Sequence, residues 1–259
     1  MKIIHARNPR QEAIDALAKI FKEYKNVPVL FLSSGGSALS LLEPEILPED
    51  LRLTVSVLDE HYVADPNERN FERLKRTEFF KAYTQPPSPK TETPPLVRGI
   101  QAPHPASPLK SGKDEKFLDP YGGEVEEAGK RFDAFLKNWI AKHSTGKIVC
   151  TAGMGADGHT AGIVPFSDAE MFENLFHNPQ ALSVGYTTDN KPFPQRVTAT
   201  YSLLKQASDV ILYAVGAEKT EAIRTLLASQ ERPTNEFPAL FLKTLPQTTF
   251  FTDFSEARK

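Results

Sequence analysis

The segment Gly153-Met154-Gly155-Ala156-Asp157-Gly158-His159-Thr160-Ala161-Gly162 sets an imidazole two residues from a carboxylate in a loop with four glycines. Histidine titrates near neutrality, which suits His159 to work as a general base or proton shuttle. Asp157 beside it can hold the ring in one orientation and raise its basicity. Gly155 and its neighbours leave the loop backbone open to close approach by a ligand. A turn carrying a structural histidine would show the same composition.

Three other clusters carry groups of the right type. Ser33-Ser34-Gly35-Gly36-Ser37 follows an apolar run and precedes Ala38 to Leu42, a stretch that reads as a helix. Gly35 and Gly36 would let amides reach an anion at that helix start, with the Ser34 and Ser37 hydroxyls adding donors. A tight turn with an N-cap serine fits equally well. The third glycine of a dinucleotide fingerprint is missing. Leu58-Asp59-Glu60-His61-Tyr62 stands at the end of a strand-like run, where open α/β sheets bind ligands. Two carboxylates and an imidazole are costly to desolvate unless used, though a solvated loop would also hold them. Arg196, in Gln195-Arg196-Val197-Thr198, and Lys219, in Gly216-Ala217-Glu218-Lys219, offer a planar fork and a point charge for a phosphate, or else serve only as surface cations.

These clusters need a scaffold, and the apolar pattern supplies one. Ile14, Leu17, Ile20 and Phe21 recur at helical spacing between Pro9 and Lys25. Short apolar runs at Val27–Leu32, Leu51–Leu58, Ile148–Ala152, Val210–Val215 and Thr248–Phe251 read as strands, and Lys219 to Ala228 as a helix. Continuous rather than alternating apolar strands indicate a sheet covered on both sides. The expectation is an α/β fold: a doubly wound, mostly parallel sheet with helices on both faces. One domain spanning 1–259 is expected, interrupted at about 85–113 by a proline-dense segment that reads as an exposed, largely disordered insertion.

The lone cysteine, Cys150, lies inside an apolar run and reads as a core thiol; with one cysteine there is no intrachain disulfide and no cysteine metal cluster. The 31 basic and 33 acidic residues leave a net charge of -2, which gives no reason to expect nucleic acid as a partner. No run approaches the ~18 apolar residues of a membrane span and no signal-peptide pattern opens the chain, so a cytoplasmic location without membrane attachment is expected.

In their order along the chain, these motifs resemble the 6-phosphogluconolactonase and glucosamine-6-phosphate isomerase/deaminase superfamily. Ser34 to Ser37, Asp59-Glu60, Gly153 to His159, Arg196-Val197-Thr198 and Gly216 to Lys219 carry the likeness, the Asp-Gly-His loop most specifically. The resemblance implies a NagB/RpiA-like Rossmann-type fold, a small sugar phosphate as ligand, no cofactor, no metal, and a monomer or small homo-oligomer. It also implies roles. His159 would be the base, Asp157 its orienting partner, and Asp59 and Glu60 would meet sugar hydroxyls or order the site. Ser37, Arg196 and Lys219 would hold the phosphate, with Gly35, Gly36 or the Gly155-containing loop stabilising an oxyanion. Asn70 is a candidate match to a downstream family asparagine.

Two branches share this pattern. The deaminase branch carries a glutamate just before the proline that follows the Asp-Gly-His loop, where this chain has Val164, which cannot move a proton. Arg232-Pro233-Thr234-Asn235 and Phe237-Pro238-Ala239 also resemble the lactonase branch. His61 stands where lactonases have arginine, and would either replace it at the substrate as a weaker, pH-dependent donor or mark a different substrate; Gly162 stands where they have serine. A lactonase is thus expected, with an amino-sugar-phosphate deaminase or isomerase and a non-catalytic sugar-phosphate sensor as rivals.

Overall fold

A computed structural model describes residues 1–85, 116–189, 192–228 and 232–255; the proline-dense segment lies outside them from residue 86 onward. Among the described residues nine strands run in chain order: β1 (Lys2–His5), β2 (Val29–Ser33), β3 (Leu53–Val57), β4 (Asp59–His61), β5 (Lys147–Ala152), β6 (Ser183–Thr187), β7 (Gln195–Ala199), β8 (Asp209–Tyr213) and β9 (Thr248–Thr252). The helices are α1 (Pro9–Glu23), α2 (Asn70–Lys75), α3 (Glu78–Thr84), α4 (Val125–Lys142), α5 (Ala169–Phe172), α6 (Tyr201–Gln206) and α7 (Thr220–Leu227).

Six strands form one sheet in the order β1-β9-β8-β5-β2-β3, and every pairing in it is parallel. Successive side chains of these strands enter two separate cores. Leu30, Leu32, Cys150, Val210, Leu212 and Phe250 join a core closed by α4, α6 and α7. Val29, Phe31, Val149, Ile211, Tyr213 and Phe251 join another, closed by α1, α2 and α3. Burial on both faces is why the strands read as unbroken apolar runs, and the doubly wound expectation holds. Cys150 is fully buried among them, and desolvation pushes its thiol up to about 12, so it packs as a hydrophobe.

Because all six strands are parallel, the loops that follow β2, β3, β5 and β8 leave from one edge of the sheet. β2 is followed by its neighbour β3 on one side, whereas β5 leads on to β8 on the other. That reversal between β2 and β5 opens the crevice where such sheets bind ligands. The crevice is stitched at its base: the Ser34 N–H donates to the Thr151 carbonyl at 2.9 Å.

A second, antiparallel sheet, β4-β7-β6, stands beside this edge and was not expected from the sequence. α4 lies across β6 at a close approach that only glycine permits. A Cβ on Gly129 would fall 1.9 Å from the Gly185 nitrogen, and one on Gly185 would fall 1.8 Å from the Val125 carbonyl oxygen.

Two local expectations need correction. Asp59-Glu60-His61 is not the tail of the preceding strand but a strand of its own, because its backbone finds partners on β7. The stretch after the Ser-Gly-Gly turn is a short 3₁₀ turn, Gly36–Leu41, and Gly36 has φ +60°. It is too short to carry the aligned dipoles of an α-helix start, so only its individual amides remain as donors. Among the described residues no helix is long and apolar enough to cross a membrane.

Candidate active site

His159 projects from the loop after β5. Its Nδ1 lies 2.6 Å from Asp157 Oδ1, and the same oxygen accepts the His159 backbone N–H at 3.1 Å. A carboxylate oxygen accepts, so Nδ1 carries the hydrogen and Nε2 of the neutral ring is left as the basic atom. Burial opposes ionisation of Asp157, but the hydrogen bonds and charge of His159 outweigh it and hold the carboxyl below its ordinary range. Gly155 is the floor of this pair: a Cβ there would fall 2.2 Å from the imidazole and 2.6 Å from the Asp157 carboxylate. Gly158 turns the loop at φ +84°, and a side chain on it would strike the Phe237 ring at 2.4 Å. The 237–239 segment thus supports the loop, and the Ala239 N–H donates to the Gly158 carbonyl at 2.9 Å.

The Ser-Gly-Gly turn after β2 meets two partners. The Lys219 ammonium donates to the Ser37 hydroxyl at 3.2 Å, joining residues far apart in sequence. Burial pushes the Lys219 amine down, Glu218 opposing, so this half-buried cation lacks much of its hydration. On the other flank Asn70 presses on Gly35, where a Cβ would lie 2.2 Å from Asn70 Oδ1. The Asn70 amide donates to the Asp59 carbonyl at 3.0 Å and to its carboxylate at 3.1 Å. Ser34 is buried and its N–H is spent on β5, so it shapes the turn rather than opening it.

The small sheet forms the third wall. Directly opposed residues of an antiparallel pair share a face, and alternate residues of a strand share it too. The pairs Asp59↔Thr198, His61↔Arg196 and Tyr186↔Arg196 therefore put Asp59, His61, Arg196, Thr198 and Tyr186 on one face. That face is pinned to the His159 loop at Gly162. The Gly162 N–H donates to Thr198 Oγ1 at 3.0 Å, and the Tyr186 hydroxyl donates to the Gly162 carbonyl. A Cβ on Gly162 would stand 2.9 Å from Thr198 and 3.1 Å from Asp59, which accounts for glycine at this place. Arg196 is 5% exposed, and its Nε donates to the Phe193 carbonyl at 3.1 Å.

Glu60 faces away from this group. Its carboxylate accepts the N–H groups of His61 (2.8 Å), Asn70 (2.5 Å) and Phe71 (2.8 Å). Burial pushes it up to about 8, against the pull of those amides. Of the two roles expected of Glu60, this geometry fits ordering the site: it anchors the start of α2, and through it Asn70.

The structure thus gathers His159, Asp157 and Gly155; Lys219 and Ser37; Gly35, Asn70 and Asp59; and His61 with Arg196. Asp59 links the second wall to the third, and Gly162 links the third to the His159 loop. Arg196 and Lys219 stand on different walls, one bonded to the Phe193 carbonyl and the other to the Ser37 hydroxyl. Thr198 and Tyr186 were missed, because their roles depend on cross-strand pairing that leaves no local pattern. Thr198 did sit within the Arg-x-Thr motif.

Comparison with known proteins gives this arrangement a relationship. The family described as glucosamine-6-phosphate isomerases/6-phosphogluconolactonase matches residues 10–250. A Drosophila melanogaster protein named probable 6-phosphogluconolactonase is 29% identical over 134 residues, 51% of this chain and 46% of that one. The chain thus matches less than half the length of this curated relative. Among solved structures, 6-phosphogluconolactonase from Plasmodium vivax superposes with a TM-score of 0.69 at 16% identity, covering 98% of this chain and 91% of that one. A monomeric glucosamine-6-phosphate deaminase superposes with a TM-score of 0.64 at 17% identity, with 97% of each chain covered. At these identities the likeness is one of fold, and it does not separate the two activities.

Proposed function

Because the chain belongs to the glucosamine-6-phosphate isomerase/6-phosphogluconolactonase family, we propose that it hydrolyses 6-phospho-D-glucono-1,5-lactone to 6-phosphogluconate. The observation that carries this reading is the Asp157–His159 pair at 2.6 Å, which leaves Nε2 as a base. A δ-lactone is an activated ester, and its hydrolysis needs an oriented water, a base and a place for the oxyanion.

In this reading, His159 Nε2 takes a proton as water adds to the lactone carbonyl, and Asp157 stabilises the imidazolium. The tetrahedral oxyanion is met by the amides of Gly35 and Gly36, which donate to no described residue. The amides of Gly155 and Gly158 are committed to the His159 and Gly155 carbonyls at 3.0 and 3.1 Å. Collapse breaks the bond from C1 to the ring oxygen, and the imidazolium returns its proton to that oxygen. Lys219, with Ser37, and Arg196 supply cations to the 6-phosphate. Asp59, set by Asn70, accepts from sugar hydroxyls. The place where the deaminase branch carries a glutamate is filled by Val164, which is buried and apolar.

The test is turnover of the lactone above its spontaneous rate, measured beside ammonia release from glucosamine 6-phosphate. Hydrolysis without ammonia is expected, and His159→Ala should lower kcat by about 10²–10⁴. Ammonia release, or ligand binding with no turnover of either compound, would replace this reading with one of its rivals.

A further inference from the structure

The hydrolysis above makes no use of His61, yet the fold fixes this ring tightly. Its Nδ1 lies 2.9 Å from the Glu68 carbonyl oxygen, which can only accept, so Nδ1 carries the hydrogen. One face of the ring stacks on Phe193, with centroids 3.9 Å apart and planes at 17°. With Nδ1 so occupied, Nε2 of the neutral ring is a bare lone pair, and no described residue bonds it. The strand places His61 on the polar face that Gly162 pins to the His159 loop, directly opposite Arg196.

Burial, more than the charges around it, holds the ring's pKa below its ordinary value. Burial disfavours the imidazolium, and Arg196 from β7 and Arg73 from α2 add to that. Asp59 on its own strand and the Glu68 carbonyl pull the other way, and the balance is downward from the ordinary value. Near neutral pH, His61 is therefore an acceptor standing beside a guanidinium.

We infer that His61 is a specificity-determining contact, its Nε2 accepting a hydrogen bond from a sugar hydroxyl while Arg196 beside it takes the anion. An unprotonated Nε2 repels an ionised phosphoryl oxygen but welcomes an O–H. The pair thus selects a hydroxylated anion over a bare one. This rests on the proposed function only in taking the ligand to be a sugar phosphate.

His61→Asn isolates the atom in question. The Asn amide can keep the bond to Glu68, as Nδ1 does, but it has nothing in place of Nε2. His61→Gln offers a carbonyl near the Nε2 position. Binding of 6-phosphogluconate and of inorganic phosphate is measured by calorimetry from about pH 6 to pH 9, spanning the ordinary histidine range, with thermal melts to check folding.

The expected result for His61→Asn is about tenfold weaker 6-phosphogluconate binding, by the same factor at neutral and alkaline pH, with inorganic phosphate changed less than about twofold. His61→Gln should recover most of the loss, and in lactone kinetics the penalty should fall on KM more than on kcat. His61→Phe, which keeps the stack on Phe193, carries the same expectation if the Asn variant unfolds. A penalty that grows toward acid pH, or an equal loss for inorganic phosphate, would make His61 a cationic phosphate ligand and overturn the inference. So would unchanged binding. If the unmodified protein binds 6-phosphogluconate but does not turn over the lactone, the hydrolytic reading falls while His61 is still decided by binding. If it binds neither, both fall.

Discussion

Lys219 and Glu60 carry the same physics in opposite senses: each has lost hydration, one near a hydroxyl and the other against amides. A half-buried ammonium whose one bonded partner among the described residues is the Ser37 hydroxyl gains much from an arriving phosphate dianion. Lys219→Ala should therefore raise KM about tenfold or more, with a smaller fall in kcat, because the contact is made equally before and during reaction. A fall confined to kcat, seen in steady-state kinetics, would place Lys219 at the reacting carbonyl instead. For Glu60 the consequence is one of stability. Its carboxyl, ordinarily near 4.5, is pushed up to about 8, so the folded state holds the proton more tightly than the unfolded chain. Its contribution is fully present below about pH 4.5 and is lost as pH rises through about 8. Denaturant titrations across this window should show stability declining with pH, and Glu60→Gln should flatten the decline. An equal slope in both proteins would show that the amides, not burial, govern this carboxyl.

Elements position the site by close approach. α4 buries Val125, Ala128, Phe132, Leu136 and Trp139 on one face and touches β6 through Gly129 and Gly185. That contact fixes the small sheet, and with it Arg196, Thr198 and Tyr186. Gly129→Ala puts a methyl into backbone, where no rotamer change can relieve it. The cost should be about 2 kcal/mol or more, read as a melting temperature lower by about 4–8 °C. An unshifted melt would mean that α4 can slide along β6. Asn70 belongs to the same logic. It opens the short helix α2, yet its amide bridges Asp59 and the Gly35 turn, so α2 works as a spacer between two walls.

Across the whole molecule, a net charge of -2 gives no general attraction for an anion, so binding must come from cations set locally. At concentrations about a hundredfold above Kd, 6-phosphogluconate should stabilise the fold by about 2.7 kcal/mol, and gluconate at equal concentration far less. Thermal melts with the two ligands check this, and equal shifts would remove phosphate recognition from the account. The apolar runs of β2, β3, β5, β8 and β9, the helical spacing in α1, and the residue types of the loops were legible in the sequence. They are local consequences of burial on two faces and of glycine's freedom, and need no knowledge of distant partners. The sequence of α4 carries helical spacing too, in Val125, Ala128, Phe132, Leu136 and Trp139. What no local pattern carried was β4, three polar residues that become a strand only because 195–199 lies alongside. Equally silent were the turning of Glu60 toward α2, the grip of Asn70 on Gly35, and the pinning of Gly162 by Thr198 and Tyr186. Each is a hydrogen bond or close approach settled by which segments end up adjacent, and only the folded chain decides that.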